Sequence, residues 1–378
     1  MEHVFLFKDK DKSKGQLAVI IIPSLLALST LTIISRIIWS FLKKKKSVVL
    51  RSSAESFDRN GLLPGQDALR SWEMPAHCTL EGVEFLKNGR YGATCKAQLK
   101  RDGAATAVII KMFKGSSNSP EAKVFADLAL FYSSVCQHDN LVRMLYCQTR
   151  RFPVYLVFET STPGNLLYFL WSLREERPGT CLEEQPFSER DAYLVAKQVA
   201  AGLDYLLSEH RLVHGNVAAH SMMIDSGFLV KVSGLASAFE SRQTETVGKE
   251  GAAGVPLKWQ APERILGLPV TSRSDVWSFG VLLYELITLG EPPFPELEPS
   301  KTFLQALANY KLKRPPSCGA ALFDLVKYCR MWNFKDRPAY SAIIRLLESY
   351  IHLADTKPLS AAQRMDISEY KRKAGVPH

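Results

Sequence analysis

From Leu17 to Ser35 the chain runs 19 residues without a charged side chain, and apolar character resumes from Ile37 to Leu42. At about 1.5 Å per residue, a helix over that first run spans roughly 28 Å, close to the hydrocarbon thickness of a bilayer. Lys43-Lys44-Lys45-Lys46 follows as a stop-transfer flank, Arg36 can snorkel towards it, and Trp39 is placed as an interfacial anchor. Pro23 is tolerable in a membrane helix. A cleaved signal peptide would have a shorter apolar region closed by small residues, and a buried soluble helix is rarely this long without polar positions. The pattern therefore predicts one transmembrane helix over 17–42, after a short segment 1–16. On its N-terminal side stand Lys8, Lys10, Lys12 and Lys14, offset by Asp9 and Asp11; on its C-terminal side stand the four lysines and Arg51. The positive-inside rule then puts the C-terminal part in the cytosol, attached to the plasma membrane or an endomembrane. Sixteen residues outside are too few for a ligand-binding domain.

The formal net charge of +10 would suit a nucleic-acid binder, but its distribution excludes that class. Residues 1–51 hold ten Lys/Arg against three Asp/Glu, and residues 356–378 hold five against two, so the central 304 residues are neutral. Basic ends beside an apolar span point to an anionic lipid surface, met first by Lys43, Lys44, Lys45 and Lys46. The seven cysteines form no C-x-x-C pair, so neither a zinc site nor a disulfide framework is indicated.

Residues 43–74 are polar, without a sustained period, and are expected to be a basic juxtamembrane linker. From 75 to 355 the pattern is globular. Short β-rich runs (Ala107–Ile110, Val154–Phe158) precede longer helical ones. The segment Ser188–Leu206 opens with Ser188-x-x-Asp191 in capping spacing and repeats apolar residues at 195, 199, 203 and 206. Strands first and helices later predict an α+β body of two lobes, closed by a basic tail over 356–378.

The chemistry-bearing run is His214-Gly215-Asn216-Val217-Ala218-Ala219-His220-Ser221. It resembles the H-R-D-L-A-A-R-N catalytic loop of tyrosine kinases, in which the Asp accepts the substrate hydroxyl proton and the Asn holds magnesium. Asn216 and Ser221 stand at those two positions here. An amide is not a base near neutral pH, and a lone hydroxyl is a poor hard-cation ligand. Val230-Lys231-Val232-Ser233-Gly234-Leu235-Ala236 resembles the V-K-I-S-D-F-G segment, with Gly234 where the second magnesium ligand belongs. The resemblance leaves no intact metal site.

Other motifs follow in the family's chain order. Leu86-Lys87-Asn88-Gly89-Arg90-Tyr91-Gly92 resembles the Gly-rich loop over ATP phosphates, keeping Gly89 and Gly92 but with Lys87 at the first glycine. Ala107-Val108-Ile109-Ile110-Lys111 resembles V-A-I-K, whose lysine contacts phosphates and pairs with a helix glutamate. Counting back from His138-Asp139-Asn140-Leu141-Val142 puts that glutamate at Ala129; Asp127 or Glu121 would serve only in another helix register. Phe158 falls at the gatekeeper position, and Glu159 enters the hinge. Gly164–Leu170 resembles the helix after the hinge.

The framework of the second lobe is better kept. Pro256–Glu263 resembles P-[VIL]-[KR]-W-x-A-P-E, and Ser274–Glu285 resembles S-D-V-W-S-F-G-V-x-L-W-E. The resemblance implies structural roles for His214, for Asp275 bracing the catalytic loop, and for a buried pair between Glu263 and Arg337. The activation-segment equivalent, 237–260, contains no tyrosine, and the loop arginine that would read a phosphotyrosine is Gly215.

Together these features resemble the receptor-like serine/threonine/tyrosine kinase family also called "novel oncogene with kinase domain". The resemblance implies a two-lobed protein kinase fold behind one membrane helix. ATP would be held weakly through Gly89, Gly92, Lys111, Phe158 and Glu159, with the magnesium site lost. The expected function is a membrane-tethered pseudokinase that binds signalling proteins or an active kinase. Two alternatives stay open: a weakly active tyrosine or dual-specificity kinase recruiting Asp225 or an activation-segment glutamate, and an adaptor without a kinase fold.

Overall fold

The computed structural model describes residues 48–50, 67–116, 119–174, 186–243, 256–361 and 365–374. The first lobe is built by alternation. In the strand Ala93–Arg101 (β3), Cys95, Ala97 and Leu99 point inward while Lys96, Gln98 and Lys100 are exposed. Beside it run Thr79–Asn88 (β2) and Ala104–Met112 (β4), whose Val108 and Ile110 are fully buried. Met144–Gln148 (β5) and Tyr155–Glu159 (β6) complete the lobe, and Val48–Leu50 (β1) pairs antiparallel with β2. The sheet order is β1-β2-β3-β4-β6-β5. One apolar cluster of Leu80, Cys95, Ala97, Val108, Ile110, Tyr155 and Val157 fills one side of this sheet. Each such Val or Ile contributes about 1.5–3 kcal/mol by burial.

The helix Pro120–Val135 (α1), capped by Ser119, lies across the site side of the lobe and joins the larger core. After the short strand Pro163–Asn165 (β7), the Asn165 side chain caps Leu166–Ser172 (α2) by accepting from the Leu167 amide at 3.1 Å. Glu189–His210 (α3) carries the expected capping box: the Asp191 carboxylate accepts from the Ser188 amide at 2.8 Å. Val195, Val199, Leu203 and Leu206 are all buried, and Arg211 ends the helix in the left-handed region at φ 55°. Strands Met222–Asp225 (β8) and Val230–Val232 (β9) form a small sheet with β7. Then come Ala236–Gln243 (α4), Pro262–Ile265 (α5), Ser272–Ile287 (α6), Phe303–Asn309 (α7), Ala320–Cys329 (α8) and Tyr340–Ile351 (α9). Every residue of α6 from Ser274 to Ile287 is buried, which makes it the central post of the helical lobe. A β-rich lobe followed by a helical lobe is the expected two-lobed architecture.

Two stretches expected to lie outside the globular domain, the linker 43–74 and the tail 356–378, have residues that take part in the fold. Within the linker 43–74, Val48–Leu50 adds an edge strand. Leu69 is fully buried, and the Met74 amide donates to the Cys147 carbonyl at 2.8 Å. Within the tail, Leu359 is buried and its amide donates to the Phe187 carbonyl at 2.8 Å; Tyr370 of Ile367–Ala374 (α10) packs edge-on to Trp171 at 5.2 Å. Isolated apolar residues in polar surroundings, too sparse to make a period, supply both contacts. Among the described residues no helix is long and apolar enough to cross a membrane, and the expected span 17–42 lies outside them.

Candidate functional site

Lys111, on β4, lies opposite Thr94 of β3 and Leu156 of β6. Its ammonium donates to the Tyr132 hydroxyl at 3.3 Å and sits 4.8 Å from the Phe158 ring centroid and 5.2 Å from that of Tyr132. Burial lowers its pKa to about 8, opposed only by the nearby Cys136. That thiol is itself pushed up to about 12 by burial, so it stays neutral at physiological pH. The helix position expected to carry a pairing carboxylate is Ala129, fully buried. Glu121 does not substitute: it is exposed in the first turn of α1, its carboxyl held low by its own backbone and Ser119. The aromatic cage of Tyr132 and the gatekeeper Phe158, packed edge-on at 4.7 Å, has taken the acid's place. Cation–π contacts are worth about 0.5–2 kcal/mol, less than a buried ion pair's loss costs.

The Gly-rich hairpin is closed on itself. Gly89 donates its amide to the Gly92 carbonyl at 2.7 Å, so that donor is not free for a phosphate. Gly92, at φ +151°, leaves no room for a side chain, since a Cβ there would meet the Met112 carbonyl oxygen at 2.3 Å. Between them Tyr91 packs on Phe125 of α1 at 5.9 Å, and Arg90 forms an ion pair with Glu240 of α4. Phe239 of α4 packs on Phe131 of α1 at 5.4 Å. The segment after Gly234 thus becomes a helix that bridges the hairpin tip and α1.

The catalytic-loop backbone keeps its geometry. Asp275 at the start of α6 accepts from the amides of His214 (2.7 Å) and Gly215 (2.9 Å). Burial raises its pKa to about 7, against the pull of those amides. His214 accepts from the Asn216 amide through Nδ1 at 3.1 Å, so Nε2 carries the proton given to the Ser233 carbonyl at 2.8 Å. Burial lowers this ring to about 4, consistent with the neutral form. Asn216 therefore stands where a base would, and its Oδ1 is buried without a hydrogen-bond partner among the described residues. Ser221 and Gly234 are neighbours, for a Cβ on Gly234 would lie 3.5 Å from Ser221 Oγ. The two ligand positions meet with one hydroxyl and no carboxylate between them. Magnesium, which takes several hard oxygen ligands, does not fit this donor set. Among the described residues no group of three or more His, Cys, Asp or Glu side chains is placed to hold a metal.

Glu159 spends its carboxylate on Lys231 (2.8 Å) and the Arg143 amide (2.7 Å), leaving only its backbone for a base. Asp225, a conceivable replacement carboxylate, is bound to the turn between β8 and β9, where it accepts from the Gly227 and Leu229 amides at 2.8 Å each. The framework pair holds: Arg337 grips Glu263 through two bonds of 2.6 and 2.9 Å. Burial opposes the charge of Glu263, but Arg337 keeps its carboxyl below the usual range. Tyr132 and Glu285 carry roles that motif reading missed. Tyr132 lies on the helix face of Phe125, Ala129 and Cys136, so the 3–4 spacing was the available signal. Glu285, fully buried and pushed up to about 8 by that burial, accepts from the Ala219 amide at 2.9 Å.

The family profile of protein tyrosine and serine/threonine kinases matches residues 80–347. The chain belongs to that family. Within this kinase family it is 31% identical to the tyrosine-protein kinase STYK1 of Mus musculus over 96% of its own length and 91% of the relative's. The Homo sapiens protein of that name is also 31% identical, over 96% and 92%. Similarity to the tyrosine-protein kinase Abl of Drosophila melanogaster, 33% identical, covers 70% of this chain but 15% of that protein. The kinase resemblance of the sequence motifs is thereby established.

Proposed function

We propose that this kinase-family protein is a membrane-tethered pseudokinase that acts by binding, as a signalling scaffold or as an allosteric partner of an active kinase. The observation that supports the reading is Asn216 held at the base position by His214, with Ser221 and Gly234 meeting where the metal ligands belong, so that base and both ligands are lacking. A positioned base is worth roughly 10²–10⁴ in rate, and metal charge stabilisation adds several kcal/mol. Nucleotide binding is weak and does not require magnesium. The tether is the helix 17–42, with the kinase-like domain cytosolic and Lys43–Lys46 on anionic lipid. A second reading, a weakly active tyrosine or dual-specificity kinase, draws on the retained Lys111 and on the relatives' designation as tyrosine-protein kinases. Incubation of the purified full chain with labelled ATP and magnesium decides between them. No incorporation above a blank is expected; robust incorporation abolished by Lys111→Met would establish the second reading.

A further inference from the structure

Lys87 occupies the place of the first loop glycine, and the strand register decides where it points. It pairs with Thr94, which pairs in turn with Lys111, and residues directly opposite in neighbouring strands share a face. The step from Phe85↔Cys95 to Lys87↔Thr94 takes two residues on β2 against one on β3. Leu86 is thus a bulge, and bulges re-aim side chains. It turns Lys87 onto the Lys111 face, towards the cleft. Within electrostatic reach of Lys87 stands His220, both of whose ring nitrogens are buried and, among the described residues, without hydrogen-bond partners. Lys87 is coupled to each of the other two: the surrounding protein and then Lys111 lower its pKa, and Lys87 adds to the burial that lowers His220.

Among the described residues nothing acidic offsets them from the usual places. Ala129, Asn216, Ser221 and Gly234 are neutral, Glu240 is engaged by Arg90, and Glu159 by Lys231. The two lysine ammoniums carry like charge, which is costly until an anion enters, while the His220 ring is neutral, with its pKa lowered to about 4 by burial, and offers that anion an N–H. We propose that this cleft binds a polyphosphate without a divalent metal, Lys87 supplying from the hairpin the positive charge that magnesium supplies in an active kinase. The proposal rests on the reading of the cleft as a former nucleotide site and adds to it a ligand class and a residue.

The test is a thermal-shift and calorimetric titration of the full chain in detergent with ATP, tripolyphosphate and adenosine, each in EDTA and in excess magnesium. ATP and tripolyphosphate are expected to bind in EDTA and adenosine to fail, with binding weakened by magnesium, because the complex carries less negative charge. Lys87→Gly, the family's own residue, should lose about tenfold or more in affinity, the equivalent of one 1.4 kcal/mol charge contact. Lys87→Arg should retain binding. Melting of both ligand-free variants near the parent's temperature shows that the fold is intact. Unchanged affinity in Lys87→Gly, binding that requires magnesium, or no polyphosphate binding in EDTA each overturns the proposal. If adenosine binds as well as ATP, the site is a base pocket and the proposal also fails. Phosphoryl transfer, measured separately, is the outcome that would sink the pseudokinase reading, so the two failures are distinguishable.

Discussion

Lys111 is a buried cation held by two rings and a hydroxyl, and its energetics run opposite to those of a paired active-site lysine. Its folded pKa, about 8, is below the unfolded value, so the unfolded chain binds more protons between about pH 8 and 10.5. Stability from this group is present above that window and is lost as pH falls through about 8. At pH 7 the charge is a burden on the fold. Lys111→Met, similar in length and uncharged, is expected to raise stability at pH 7 by on the order of 1–2 kcal/mol and to flatten the rise between pH 8 and 10. Thermal melts of parent and variant across that range check it; a variant that melts lower at pH 7 and keeps the rise would contradict it. The opposite sign holds for Arg337, whose guanidinium is buried against Glu263. Arg337→Ala leaves a carboxylate stranded and should cost about 3–5 kcal/mol, whereas Glu263→Leu with Arg337→Met should cost less than either single loss. Denaturation of the three variants tests this.

At the scale of elements, the hairpin between β2 and β3 is held by contacts a sequence motif does not display. Gly92→Ala would push a methyl into the Met112 carbonyl at 2.3 Å and the Lys114 amide at 2.8 Å, both of them backbone. Relief needs the hairpin to lift, which should lower stability by about 1–3 kcal/mol and speed hydrogen exchange in β3 and α4, because Arg90 then leaves Glu240. Exchange unchanged in both elements would show the hairpin to be loose already. This element also marks the boundary of what was legible. The capping box at Ser188 and the 195, 199, 203, 206 spacing found α3 because local chemistry and helical period agree there. His214, Asp275, Glu263 and Arg337 were found because their partners are backbone amides or one another, in a geometry the fold requires. The cage around Lys111 was not found, because a motif indexes position 129, while the contact is made by Tyr132 one turn on. Nor was helix α4, which depends on the tertiary contacts Phe239–Phe131 and Arg90–Glu240. The docking of Leu359 and Tyr370 was invisible for the same reason: single apolar residues have no period.

At the scale of the whole molecule, the edge strand Val48–Leu50 begins two residues after the lysine cluster, so the kinase-like domain starts almost at the proposed membrane surface. Such a short connection leaves the four lysines within reach of anionic headgroups, at about 1 kcal/mol each when close to the surface. Deleting residues 1–42 should move the protein from the membrane to the soluble fraction, leaving at most binding that salt removes. Deleting 1–66 should do the same and also strip β1 from β2, whose Leu80 and Val83 face it in register. The longer deletion should therefore melt below the shorter one, a difference that a simple tether would not produce. Replacing Lys43–Lys46 by glutamate leaves Arg36 and Arg51 against four N-terminal lysines, and the orientation should weaken or become mixed. A glycosylation acceptor placed after residue 60 reads this directly: unmodified in the parent, partly modified in the glutamate variant. Efficient modification in the parent would put the kinase-like domain on the luminal or extracellular side. The orientation proposed from the charge count would then be wrong, because the basic residues that flank the span would not have kept its C-terminal side in the cytosol.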